Sequence, residues 1–236
     1  MSINRKKQGK SKQQRQKEII TRTTITGIGI ILLALAGVFI FRYFFSSNKA
    51  SDNDTVDVIS LGNNTKQIPR PQLDVQLLTI NEYSRPGLET DTINGVVVHY
   101  TANPGSTAQD NRDYFESLKD SGENKVSSNF IIGLDGEIIQ CIPTSEIAYA
   151  SNERNNDTVS IECCHPDETG KLNDATYQSL VELTAFLCGK FNLTKDEVIR
   201  HYDVTGKLCP KYFVDHEDKW QDFKNDVADY IEENGS

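Results

Sequence analysis

Four histidines, at positions 99, 165, 201 and 216, and five cysteines, at 141, 163, 164, 188 and 209, are the residues best suited to metal or nucleophilic chemistry. None falls into a CxxC or HExxH spacing, so no short motif assigns a metal. Context says more. His99 closes the apolar run INGVVVH, His201 closes VIRH, and Cys209 follows eight positions later in GKLCP. Sites are commonly built where strands end and loops begin, so His99, His201 and Cys209 form a candidate zinc set with a fourth position open to water. The same three also fit two hydrogen-bonded core histidines and a small buried thiol. Glu162 stands in TVSIECC between Ile161 and Cys163, and a carboxylate in an apolar strand is costly to bury unless it is paired or used.

The elements that must position these residues can be read from periodicity. Residues 93–99, with three successive valines, read as a strand buried on both faces. Residues 106–119 place Tyr114, Phe115 and Leu118 at helical spacing after Pro104–Gly105. Residues 128–134 and 137–141 flank Asp135–Gly136 and predict an antiparallel hairpin. A further strand is expected over 158–164, and a long helix over 173–191 with Tyr177, Leu180, Leu183, Leu187 and Phe191 on one stripe. Thr194 to Glu197 fits a capping box leading into a strand over 198–201. Trp220, Phe223, Val227 and Tyr230 mark a last helix over about 216–232. Together these predict an α/β domain with a mixed central β-sheet flanked by helices.

Charge divides the chain. Residues 1–22 carry eight basic side chains against one acid, a head of +7 that leaves −16 on the remainder of a chain whose net charge is −9. An acidic body excludes a nucleic-acid binder, which needs clustered Lys and Arg on its working part. The 17-residue uncharged run ITGIGIILLALAGVFIF (25–41) comes after the basic head, and at 1.5 Å per residue it nearly spans a hydrocarbon core of roughly 30 Å. It predicts an uncleaved transmembrane signal anchor over residues 23–45, with the N-terminus cytoplasmic by the positive-inside rule. Residues 46–71, rich in Ser, Asn, Asp, Gly and Pro, read as a flexible extracytoplasmic linker, and residues 72–236 as one globular domain.

The segments VVVHYTANPGSTAQDNRDYF, NFIIGLDGEIIQCIP, NDTVSIE and RHYDVTGKLCP, in this order, resemble the zinc-dependent N-acetylmuramoyl-L-alanine amidases of the type 2 family, which also includes phage amidases and the peptidoglycan-recognition proteins. The likeness covers about residues 77–214. It implies Zn2+ on His99, His201 and Cys209, Glu162 as general base and acid, and Lys207 as the cation facing the oxyanion. Ser128 occupies the position where branches without the glutamate carry a tyrosine. Two departures concern substrate contacts: Asn129 stands where many relatives have a histidine, and Tyr149–Ala150 replaces an aromatic-His pair. Asn129 and Tyr149 are accordingly the expected substrate-binding residues. His165 and His216, outside the matching motifs, read as surface residues.

The resemblance implies an enzyme acting on peptidoglycan, and with the basic head and apolar run it gives the expectation of a cell-membrane protein whose monomeric catalytic domain faces the wall outside the cell. The competing expectation is an anchored, non-hydrolytic peptidoglycan-binding module. With Cys209 as a ligand, Cys141, Cys163, Cys164 and Cys188 are left as two disulfides or four thiols. Strand alternation turns Cys163 away from Glu162 and Cys164, toward a possible meeting with Cys188.

Overall fold

The computed structural model describes residues 67–236. The predicted cytoplasmic head, membrane anchor and most of the linker lie outside the described residues. Among the described residues no helix is long and apolar enough to cross a membrane.

Among the described residues six strands form one sheet in the order β1-β4-β3-β5-β2-β6. They are β1 (Asp74–Val75), β2 (Gly95–Tyr100), β3 (Phe130–Ile132), β4 (Ile138–Gln140), β5 (Thr158–Cys163) and β6 (Val198–Arg200). Only the β3–β4 pair is antiparallel, so the sheet is mixed, as predicted. The hairpin joining that pair turns at Gly136, whose φ of +83° costs glycine little and most residues more. β2 lies between β5 and β6, both parallel to it, and its valines Val96 to Val98 are fully buried.

The helices are α1 (Ala108–Ser121), α2 (Asp174–Phe191), α3 (His201–Thr205), α4 (Lys211–Asp215) and α5 (Glu217–Asn234). Local chemistry sets their starts. Thr107 and Asp110 form a reciprocal capping box on α1, and Asn173 accepts from the Thr176 amide at the start of α2. α1 ends at Gly122 and α2 at Asn192, both in left-handed conformation.

Alternation along the strands gives the sheet two unlike faces. Val96, Val98, Phe130, Ile132, Val159, Ile161 and Cys163 face a core completed by Leu180, Leu183 and Leu187 of α2 and Trp220, Phe223 and Val227 of α5. At roughly 1.5–3 kcal/mol per fully buried large apolar side chain, this layer is the main source of the domain's stability. A smaller cluster on the other face joins Ile131, Ile139 and Cys164 to Ala108 and Phe115 of α1.

Several boundaries differ from expectation. The domain begins upstream of residue 72: the Gln67 amide donates to the Ser236 carbonyl at 2.9 Å, and Ile68 packs in the core. The strand predicted over 198–201 stops at Arg200, because Asp203 Oδ2 accepts the Arg200 amide at 2.8 Å and starts α3 at His201. β1 and α4 were not foreseen, being too short to show a period. Arg200 is 8% exposed and ties β6 to α3, α4 and α5, donating to Asp203, the Phe213 carbonyl and Glu217 and lying 5.3 Å from the Trp220 ring centre.

All five cysteines are free and buried. Cys163 and Cys188 share the α2–α5 core while Cys164 faces the other way, so the expected alternation holds and no disulfide forms.

Candidate active site

Register builds the site. His99 and Glu162 are directly paired in the parallel β2–β5 ladder, and Val98 pairs Arg200 across β2–β6, which brings His201 beside His99. Residues distant in sequence thus meet at the C-terminal ends of parallel strands, where open α/β sheets bind ligands. The loop after α3 returns Cys209 to the same point, held by the Tyr202 amide donating to the Cys209 carbonyl at 2.8 Å. Cys209 Sγ lies 3.8 Å from His99 Nδ1, and the two imidazole centres are 4.7 Å apart.

His99, His201 and Cys209 are all buried and each offers one donor atom within 4.8 Å of the others. His201 Nδ1 is buried with no hydrogen-bond partner. Two imidazoles and a thiol are a donor set that would suit zinc. Burial and the facing charges of His201 and Lys207 hold His99 well below its ordinary pKa, and burial followed by Lys207 lowers His201. Both rings are therefore neutral near pH 7, the form that ligates metal. Burial, seconded by Glu162, pushes the Cys209 thiol up to about 12, so holding a metal there would require the thiol to give up its proton.

These three residues line a cleft of about 240 Å³ together with Tyr100, Thr101, Tyr114, Glu162 and Lys207. Glu162 is half-buried, and its Oε2 has no partner. Burial raises its carboxyl to about 8 against the lowering pull of Lys207. Lys207 itself is exposed at the cleft mouth. A larger hollow of about 410 Å³, lined by residues of α2, α4 and α5, contains none of these groups.

The remaining expected residues fall elsewhere. Asn129 is 1% exposed; its Oδ1 accepts from the Ser160 amide and hydroxyl, and its Nδ2 donates to the Pro143 and Glu146 carbonyls. That amide stitches β5 to the segment after β4, and its polar atoms are engaged within the protein. Tyr149 is partly buried with Lys125 5.8 Å from its ring centre, and it is the neighbouring Ala150 that lines the cleft. Ser128 is buried and donates to the Phe130 carbonyl. His165, expected at the surface, is 1% exposed and stacks on Tyr100 at 5.1 Å, because its Nδ1 satisfies the Asp167 carbonyl and folds the ring inward. His216 is exposed, as expected.

Two neighbours of the site escaped sequence reasoning. Ser151 Oγ lies 3.2 Å from His99 Nε2, and Asn152 Oδ1 lies 2.9 Å from His201 Nε2. In the sequence they belong to a polar SNERNN stretch that reads only as a loop.

Fold and site together define a class: a mixed α/β domain that gathers two histidines, a cysteine and a glutamate at one cleft beside the C-terminal ends of parallel strands. Residues 89–212 match the N-acetylmuramoyl-L-alanine amidase family Amidase_2, to which the chain belongs. It is 33% identical over 160 residues to the N-acetylmuramoyl-L-alanine amidase CwlL of Bacillus licheniformis, covering 63% of this chain and 44% of that protein. To the amidase BlyA of Bacillus subtilis (strain 168) it is 32% identical over 171 residues, covering 64% and 45%. The chain thus spans less than half the length of these relatives. Its fold superimposes on PlyL with a TM-score of 0.58 at 22% identity, covering 66% of this chain and 97% of PlyL. The catalytic domain of XlyA gives 0.56 at 23%, covering 66% and 99%.

Proposed function

We propose that this protein hydrolyses the amide between the lactyl group of N-acetylmuramic acid and L-alanine in peptidoglycan, using zinc held by His99, His201 and Cys209. The observation that carries this reading is the convergence of two neutral imidazoles and a thiol beside a carboxyl whose Oε2 has no protein partner. A structural zinc site would close with a fourth protein ligand, whereas this set of three faces a cleft.

Zinc bound there supplies Lewis-acid polarisation of the scissile carbonyl and acidifies water. Glu162 takes the proton of the attacking water and returns it to the departing amine. Burial, against the pull of Lys207, leaves this carboxyl at about 8, which suits the second task, and a doubly charged ion held beside it would lower that value and free the carboxylate for the first. Lys207, at the cleft mouth, places an ammonium where negative charge develops on the carbonyl oxygen. Tyr149, next to the cleft-lining Ala150, is a candidate contact for the substrate beyond the scissile bond.

The proposal extends to location. The basic head and the apolar run 25–41 support a single-pass anchor, with the domain held outside the membrane by the linker within reach of the wall.

The test is to purify the full chain in detergent, count zinc by elemental analysis and digest peptidoglycan while mass spectrometry follows free peptides beginning with L-alanine. One zinc per chain and chelator-sensitive release of such peptides is the expected result. Wall binding with zinc present but no release would favour the non-hydrolytic module.

A further inference from the structure

The segment that connects β4 to β5 meets both histidines. Ser151 is 1% exposed, and its hydroxyl meets His99 Nε2. Asn152, the next residue, meets His201 Nε2 through its carbonyl oxygen. Adjacent side chains normally diverge. Here they converge on two neighbouring rings because Asn152 takes a left-handed backbone, φ +54°, which asparagine tolerates better than most residues.

The backbone around them is pinned. Asn155 Oδ1 accepts from the amides of Ala150, at 3.0 Å, and Ser151, at 2.6 Å. Arg154 Nε donates to Asp157 at 2.8 Å, and the Arg154 amide donates to the Ser151 carbonyl at 3.0 Å. The turn Asn152–Arg154 is thereby held as one short 3-10 unit.

A neutral imidazole carries one proton. An amide oxygen can only accept, so the contact at Asn152 requires the proton of His201 on Nε2 and leaves Nδ1 as a bare lone pair. That Nδ1 is the buried atom without a partner. At His99 the hydroxyl of Ser151 can accept in the same way, leaving Nδ1, the atom 3.8 Å from Cys209 Sγ, free to ligate.

We propose that Ser151 and Asn152 are positioning residues of the metal site, holding His99 and His201 in the Nε2–H tautomer so that both Nδ1 atoms face the point shared with Cys209. This deepens the zinc reading above and rests on it for the identity of the ion. Outer contacts of this kind commonly change metal affinity by about 10–100-fold, and Asn152, being exposed, belongs at the lower end because water can partly replace it.

The test uses the full chain in detergent with four forms: unaltered, Ser151→Ala, Asn152→Gly and Asn152→Asp. Glycine keeps the left-handed backbone and removes the acceptor, whereas aspartate keeps an oxygen at the same place. Long-range 1H–15N correlation of the imidazoles in the metal-free protein reads the tautomers, and chelator competition reads zinc affinity. Expected are Nε2–H on His201 in the unaltered chain, a mixture of tautomers and roughly tenfold weaker zinc in Asn152→Gly, and recovery of both in Asn152→Asp. Ser151→Ala weakens zinc by at least as much. An Nδ1–H tautomer on His201 in the unaltered chain, or Asn152→Gly matching it in both readouts, overturns the inference. Failure of Asn152→Asp to restore what Asn152→Gly lost overturns it too, since the backbone rather than the acceptor would then matter. Loss of the zinc reading looks different: the unaltered chain then takes up no zinc although its tautomers are as expected.

Discussion

The two faces of the sheet are built from the same strands and do opposite things. On the α2–α5 side, alternate residues of β2, β3 and β5 are apolar and pack against Leu180, Leu183, Leu187 and Phe223. At the C-terminal ends of β2, β5 and β6, the other face presents His99, Glu162 and His201. Of the five buried side-chain atoms without partners among the described residues, four lie in or beside that region: Thr101 Oγ1, Glu162 Oε2, His165 Nε2 and His201 Nδ1. The fifth, Thr184 Oγ1, is on α2. An unpartnered buried polar atom costs about 1–3 kcal/mol, so such atoms concentrated at one edge mark a region arranged for a ligand at the expense of stability. The helical face carries the compensating stability.

Substitutions on the two faces should therefore separate chemistry from folding. The largest effect is expected from Glu162→Gln, with kcat falling by about 10²–10⁴ while zinc content and Tm stay near those of the unaltered chain. Persisting activity with zinc bound would remove the carboxyl from the mechanism. Leu183→Ala on the helical face should do the reverse, costing about 2–5 kcal/mol in urea unfolding and leaving kcat of the folded fraction intact. A comparable loss of kcat would mean that the faces are not separable.

With the role proposed above, Lys207→Ala should lower kcat by about 10² with little change in KM, zinc or stability, because the side chain is exposed and would act on charge that develops only during reaction. A rise in KM alone would make it a substrate-holding residue instead.

The smallest effect lies outside both faces. The Arg85 guanidinium donates to Glu146 at 2.7 and 2.8 Å and holds that carboxyl below its ordinary 4.5. A depressed carboxyl contributes stability above its unfolded pKa and loses it as pH falls through the folded value. Glu146→Gln should thus flatten part of the acid limb of stability below pH 4.5, by about 1 kcal/mol or less for a partly exposed pair. Unfolding curves at pH 7 and pH 3.5 would show it, and an unchanged acid limb would mean that other carboxyls carry it.

The elements were largely legible because their signals are local. Three consecutive valines, the Thr194–Glu197 box and the Leu180–Leu187 stripe each express a hydrogen-bonding period of the backbone itself, and β2, the 3-10 turn Lys195–Glu197 and α2 appear where those periods lie. Short elements such as α4 gave no period to read. Errors arose where a side chain's partner is remote. The engagement of Asn129 with Ser160, 31 positions away on β5, had no local signal either. His165 read as a surface residue, yet it is buried and stacked on Tyr100.

For the site, residue types and strand alternation already placed Glu162 and Cys163 on opposite faces, and family likeness assigned His99, His201 and Cys209 a common ion. What the sequence by itself determined was the set of chemical groups and the period on which each sits, since both derive from covalent chain geometry. Only the tertiary structure decided that the His99 and Cys209 side chains lie 3.8 Å apart across 110 positions, that Glu162 faces their cleft, and that Ser151 and Asn152 stand behind the two imidazoles. Those meetings depend on the parallel register of β2, β5 and β6 and on the loop returning after α3, which are fixed by packing between segments far apart in the chain.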